Sequence, residues 1–231
     1  MISAHTRRSI RELTRRRGRS ALTIATIAVA ISGVWLFAIP GNVGTTMQQR
    51  VHDDAMHTAR LAPTAADLTP DQLASLRSVD NVAALDTRTL GRTEIRIDGR
   101  SQGVILVGVA DFEQQSVNIV SLTTGAFPDR PNLLVTDTAN ARTGRFNGAV
   151  GDTVELRTHT GRWEQFGISG AGGTVRYSSE VAEDAPVLYL SNADVQRVMS
   201  YPAPNSIDVL ARDPAPAAVD TMVTELRSML S

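Results

Sequence analysis

The chain has 231 residues and no cysteine, so it holds no disulfide, thiolate nucleophile or zinc–thiolate centre. Of its 23 basic residues, seven lie in the first twenty positions against one glutamate. The remainder carries 16 basic and 23 acidic residues, a net charge of −7, which argues against a nucleic-acid-binding body. Every basic residue is arginine, which excludes a complete Walker A motif, Schiff-base chemistry and a Ser-x-x-Lys pair.

The early arginines are Arg7, Arg8, Arg11, Arg15, Arg16, Arg17 and Arg19, and from Ser20 to Gln49 no residue is charged. Between Ala21 and Pro40 the only hydroxyl groups belong to Thr23, Thr26 and Ser32, which can bond back to helical carbonyls. Twenty residues rising ~1.5 Å each reach ~30 Å, the hydrocarbon thickness of a bilayer. Trp35 and Phe37 lie towards the far end, where an aromatic ring settles at the membrane interface. The pattern predicts a membrane-spanning helix over residues 20–40, with the arginines on the cytoplasmic side and the rest of the chain outside the cell membrane. Ile10 and Leu13, three apart among arginines, read residues 1–19 as a basic amphipathic segment on the inner leaflet. A cleaved export signal is the rival reading, because Ala28-Val29-Ala30 has the small-x-small form. The apolar run ISGVWLFAIP follows that site, and a mature N-terminus is not expected to begin so; the uncleaved anchor is preferred.

Met47, Val51 and Met56 predict a helical extension over residues 41–60, ended by LAPTAADLTP. Residues 61–231 then form the outer domain. Thr69-Pro70-Asp71 reads as a cap, a first-turn proline and a first-turn acid, followed by a helix with Leu73, Leu76 and Val79 on one stripe. RTEIRIDGRSQGVILVGV predicts a hairpin turning at Asp98-Gly99. A buried strand at Leu133-Leu134-Val135 and a short helix through Ala139 and Ala141 come next. GDTVELRTHTGRWEQFGISG predicts a second hairpin, with Val154 and Leu156 on one strand, a turn at Thr160-Gly161, and Trp163 and Phe166 on the return. APVLYL is a buried strand, Ser191 caps a helix with Asp194 at its third position, and NSIDVLA is the last strand. Pro214 and Pro216 open a final helix with Val219, Met222, Val223, Leu226 and Leu230 on one face. These strand–strand–helix units predict an α+β domain of two lobes rather than one doubly wound sheet.

No catalytic or metal site stands out. His52, Asp53, Asp54 and His57 are the densest ligand-capable cluster, but two histidines five apart do not share a helical face, and a solvated stretch is expected. His159 is expected to be exposed in a hairpin turn. SGAGGTVRYSS, Ser169 to Ser179, lacks the spacing of a nucleotide-binding loop and reads as a flexible loop. The Glu183-Asp184 pair has nothing apolar beside it to raise a carboxyl pKa.

The order of these features resembles the MacB/FtsX-family ABC transporter permeases. RRSIRELTRRRGRSALTIATIAVAIS resembles their opening, a cytoplasmic amphipathic helix leading into a first membrane helix. VILVGVADF, LTTGAFPDRPNLLVTDTANA, GAVGDTVELRTHTGRWEQFGISG, APVLYLSNADVQRVM and NSIDVLARD, in that order, resemble the MacB-like extracytoplasmic core domain. The resemblance implies a two-lobed outer domain of that type behind one transmembrane helix. It implies an N-terminal part of a permease, working as a dimeric assembly with a separate cytoplasmic ATPase that binds the ATP. The membrane helix would transmit the ATPase's motion to the outer domain, which would move a substrate or regulate a partner outside. Family permeases continue into further membrane helices, so the chain is expected to be an N-terminal portion of one or a single-pass relative. No enzymatic activity, cofactor or nucleic-acid partner is implied. The alternative is an exported or singly anchored binding module without transport activity.

Overall fold

The computed structural model describes residues 55–63, 68–174, 177 and 185–230. The chain divides into two units, Met1–Gln49 and Arg50–Ser231, and all described residues belong to the second. The predicted basic segment, the membrane helix and the residues assigned to its two interfaces lie outside them. Among the described residues no helix is long and apolar enough to cross a membrane.

The order of elements is β1 (Ala59–Leu61), α1 (Pro70–Arg77), β2 (Val82–Ile97), β3 (Arg100–Val109), β4 (Ser121–Gly125), β5 (Leu133–Asp137), α2 (Thr138–Arg142), β6 (Thr153–Arg157), β7 (Trp163–Gly173), β8 (Val187–Ser191), α3 (Asn192–Met199), β9 (Ser206–Ala211) and α4 (Pro216–Leu230). Local chemistry sets most boundaries. Thr69 caps α1 through a reciprocal box: its hydroxyl accepts from the Gln72 amide at 3.2 Å, and the Gln72 side chain accepts from the Thr69 amide at 2.9 Å. Ser191 caps α3 by accepting from the Asp194 amide at 3.1 Å, and Ser200 ends that helix in the left-handed region. Asp98 and Gly99, with φ of 49° and 75°, make the tight turn joining β2 to β3.

One sheet contains all nine strands, in the path β1-β9-β2-β3-β8-β5-β7-β4, and β6 bridges β2 and β7. That bridge closes a six-stranded ring: β2, β3, β8, β5, β7, β6 and back to β2. Alternating residues fill its inside, including Ile95, Val104, Leu106, Leu134, Val154, Leu156, Phe166, Ile168, Leu188 and Leu190, with Val195 and Val198 of α3 in the same core. The closing seam has only two paired positions, Ile95 with Leu156 and Arg96 with Glu155. Cross-strand charges reinforce it. Arg96 donates to Glu155 at 2.6 Å and stacks over the Trp163 ring, and Arg157 donates to Glu94 at 2.9 Å.

The first half of β2 runs beyond the ring to pair with β9, which pairs in turn with β1. Leu85, Ile207, Val209 and Leu61 pack on one side of this wing beneath Leu76 of α1 and Met222 and Leu226 of α4. The ring and the wing are carried on one continuous sheet within a single compact unit. Ala59–Leu61 form a strand, and Ala55 has a left-handed φ of 46°, so the predicted helical extension does not continue to Arg60.

Residues 169–173 of the glycine-rich segment, expected to be loop, are the end of β7, seated between β4 and β5. A Cβ built on Gly172 would lie 2.3 Å from the Ser121 carbonyl oxygen and 3.0 Å from Leu122 Cα. The neighbouring backbone cannot retreat cheaply. Gly172→Ala is expected to cost ~1–3 kcal/mol in urea unfolding, the usual range for overpacking. Gly103→Ala on β3 meets open space and is expected to stay within ~0.5 kcal/mol of the parent.

Candidate functional site

The second side of the wing is polar. Arg60, Asp86 and Asp208 occupy register-matched positions on β1, β2 and β9, and Arg88 faces Ser206 two pairs further along. Matched positions on paired strands share a face, so these groups stand together, opposite the apolar layer. The connection from Phe112 to Val120 lies against them.

Asp208 is the hub. Its side chain has no solvent exposure and gathers donors from three other parts of the chain. Arg60 Nε donates to Oδ1 at 2.7 Å; Asn118 Nδ2 and the Tyr177 hydroxyl donate to Oδ2 at 2.6 and 2.5 Å. Arg60 also donates to the Tyr177 hydroxyl and lies over its ring, 4.9 Å from the centroid. Burial alone would raise the Asp208 pKa. The hydrogen bond and charge of Arg60, the Tyr177 hydroxyl and the charge of His57 outweigh it and hold the carboxyl below its ordinary range. Tyr177 moves the other way: burial and the Asp208 charge raise its pKa and keep it protonated.

The hub reaches the first described residues through Asn118. That side chain accepts from the His57 backbone amide at 3.1 Å, and the Asn118 backbone N–H donates to the Ala55 carbonyl at 3.0 Å. Thr58 adds two bonds to β9: its amide donates to Val209, and its hydroxyl accepts from the Ala211 amide. Residues 55–61 are thus fastened along their length, although β1 has only three residues. A second fastening holds the connection itself. Asp86 accepts from the Ser116 amide, the Ser116 hydroxyl and the Val117 amide, each at 2.8 Å, while Arg88 Nη2 donates to the Val117 and Asn118 carbonyls at 2.7 and 3.2 Å.

This arrangement holds rather than reacts. Every oxygen of Asp208 is occupied by a donor, and Tyr177 keeps its proton, so neither presents a base or nucleophile. Among the described residues no group of three His, Asp or Glu could hold a metal ion.

Of the polar cluster expected near residue 52, only His57 is described, and it is half-buried against Asn118 rather than solvated. His159 is exposed, as its turn position implies. Glu183 and Asp184 lie outside the described residues, as do the seven N-terminal arginines, Trp35 and Phe37. The sequence reading missed Arg60, Asp86, Arg88, Asn118, Tyr177 and Asp208. One signal was present: Asp208 sits between Ile207 and Val209 in the apolar strand NSIDVLA, where a carboxylate must either reach water or be paired.

No family model matches the chain, and no curated protein matches it. Two solved structures similar to it are the extracellular domain of the noncanonic ABC-type transporter YknZ from Gram-positive bacteria and the periplasmic region of MacB from Actinobacillus actinomycetemcomitans. The first has a TM-score of 0.49 at 11% identity, covering 74% of this chain and 90% of that one. The second has a TM-score of 0.47 at 14% identity, covering 72% of this chain and 76% of that one.

Asp208→Asn removes a buried charge from its partners and is expected to cost about 3 kcal/mol at pH 7. Because the folded carboxyl titrates below its unfolded value of ~3.9, its contribution is full above that pH and is lost as pH falls through the folded value. Urea unfolding of parent and variant should therefore differ most near neutrality, begin to converge as the pH falls below about 4, and meet only once the folded carboxyl is itself protonated.

Proposed function

We propose that this chain is the first membrane helix and extracytoplasmic domain of an ABC transporter permease of the MacB/FtsX kind. The observation that carries this reading is the fastening of residues 55–61. A segment following a membrane anchor can pass force to a domain only if it is bonded more firmly than a short edge strand alone allows. Arg60, His57 and Thr58 supply that bonding, through Asp208 and Asn118 to the sheet. The ordered motifs of the outer domain and the basic-then-apolar N-terminus, both read in the sequence, support it further. In this reading ATP is bound and hydrolysed by a separate cytoplasmic subunit, the permease works as a dimer, and the outer domain moves as a body. Substrate contact takes place outside the bilayer, and the chain itself catalyses no covalent step.

The full chain, expressed in its host, is expected to stay in the membrane after alkaline extraction. Protease added to spheroplasts should remove residues 61–231 and leave the N-terminal fragment. An ABC ATPase should co-purify in detergent, and Arg60→Ala should leave its ATP hydrolysis intact while reducing transport. A soluble mature protein beginning near Ile31 overturns the reading in favour of an exported binding module.

A further inference from the structure

The two ends of the six-stranded ring are finished differently. At one end α3 lies across β2 and β3, with Met199 against Gly91 and Asn192 against Gly108. At the other end the Asp98-Gly99 turn joins the same two strands, and the loop from Gly144 to Asp152 stands beside it. That loop is held in place: Phe146 enters the ring core, and the Arg145 carbonyl accepts from Gln102 Nε2 at 2.8 Å. Between turn and loop lies a cavity of about 650 Å3, lined by Ile97, Asp98, Arg100, Arg145, Phe146 and Asp152 among others. Small-molecule sites usually have about 300–1,000 Å3 and often occupy the mouth of a barrel.

The strand register places the lining. Ile95 fills the ring core and pairs with Gln102; Ile97 and its partner Arg100 come two pairs nearer the turn, on the same inner face. Charges on the outer face of these strands are matched, Glu94 by Arg157 and Arg96 by Glu155. The side chains of Asp98 and Arg100 have no hydrogen bond or ion pair with any described residue. Asp152 is already used by the Ala149 amide, at 2.8 Å. One uncommitted carboxylate and one uncommitted guanidinium therefore border the same cavity, beside the apolar wall of Ile97 and Phe146. An anion drawn to Arg100 is repelled by Asp98, and a cation drawn to Asp98 is repelled by Arg100. A ligand carrying both charges escapes both penalties.

We propose that this cavity binds a small zwitterion with an apolar side group, that is, a free α-amino acid or a short peptide. The Arg100 guanidinium takes the carboxylate, for which its planar fork of donors is suited, and Asp98 takes the ammonium. Ile97 and Phe146 meet the apolar group. The site belongs to the ring alone, and its existence does not depend on the transport reading.

The test is calorimetric titration of the purified full-length chain with L-leucine and with trileucine, which separate a free amino acid from a peptide. At least one should bind, and its N-acetylated and C-amidated forms, which lack the ammonium and the carboxylate respectively, should each bind about tenfold more weakly. Arg100→Gln should lose the preference over the amidated form, and Asp98→Asn the preference over the acetylated form. Both positions are exposed, and asparagine tolerates the left-handed φ of 49° at position 98, so both variants should fold. No heat and no rise in melting temperature with either ligand up to ~10 mM overturns the proposal. Equal binding of the charged and blocked forms, or an unchanged preference in Arg100→Gln and Asp98→Asn, overturns it equally.

Discussion

The backbone hydrogen bonds of β2 are used along both edges, and the two halves of the strand serve different structures. From Arg88 to Ile97 it pairs with β3, and at Ile95 and Arg96 also with β6, which closes the ring. From Val82 to Arg88 it pairs with β9, which carries β1 and the wing. The unit has several separate apolar clusters, yet it has no boundary at which one could be detached without cutting that strand. A third cluster, with Val107, Val135 and Tyr189, covers the outer surface of the ring beneath Phe112 and Val120. Residues 112–120 therefore bear on ring and wing alike, through apolar contacts on one and the bonds of Asp86, Arg88 and Asp208 on the other.

The wing divides its two faces by chemistry. On one side Leu61, Leu85, Ile207 and Val209 exclude water beneath two helices; on the other Arg60, Asp86, Arg88 and Asp208 lie within an enclosed polar layer. An apolar layer can slide or repack at modest cost, whereas a buried charge tolerates few geometries. The polar side thus fixes the register of β1 and β9 and the seat of the 112–120 connection. That is a suitable property for a segment proposed to receive movement from outside the domain.

Much of this was legible in the sequence wherever the information was local. The Asp98-Gly99 and Thr160-Gly161 turns, the Thr69 and Ser191 caps, and the apolar stripe from Val219 to Leu230 each depend on residues within a few positions of one another, and all are present. What could not be read depends on distant partners. SLTTG has a single half-buried residue and no alternation, and becomes β4 only because β7 lies beside it. Gly170 and Gly172 look like loop residues, yet glycine is there because carbonyls of residues 121–126 come too close for a side chain. Residues 59–61 carry no strand signal and are ordered by β9, some 150 positions later. The hub was hidden for the same reason: Arg60, Asn118, Tyr177 and Asp208 converge from four separated segments.

The late position of β9 has a consequence for synthesis. During translation β2 can find β3 at once, since their turn is two residues long. Its first half, along with Arg60 and the apolar residues beneath α1, must wait until Ser206–Ala211 has left the ribosome. For most of the time the chain is being made, an unpaired strand edge and an unmatched arginine stand exposed. Loops that close over such a span are slow to form. The nascent domain is therefore a natural client for chaperones, and the wing is complete only when a six-residue strand and the helix that follows it, Pro216–Leu230, have arrived.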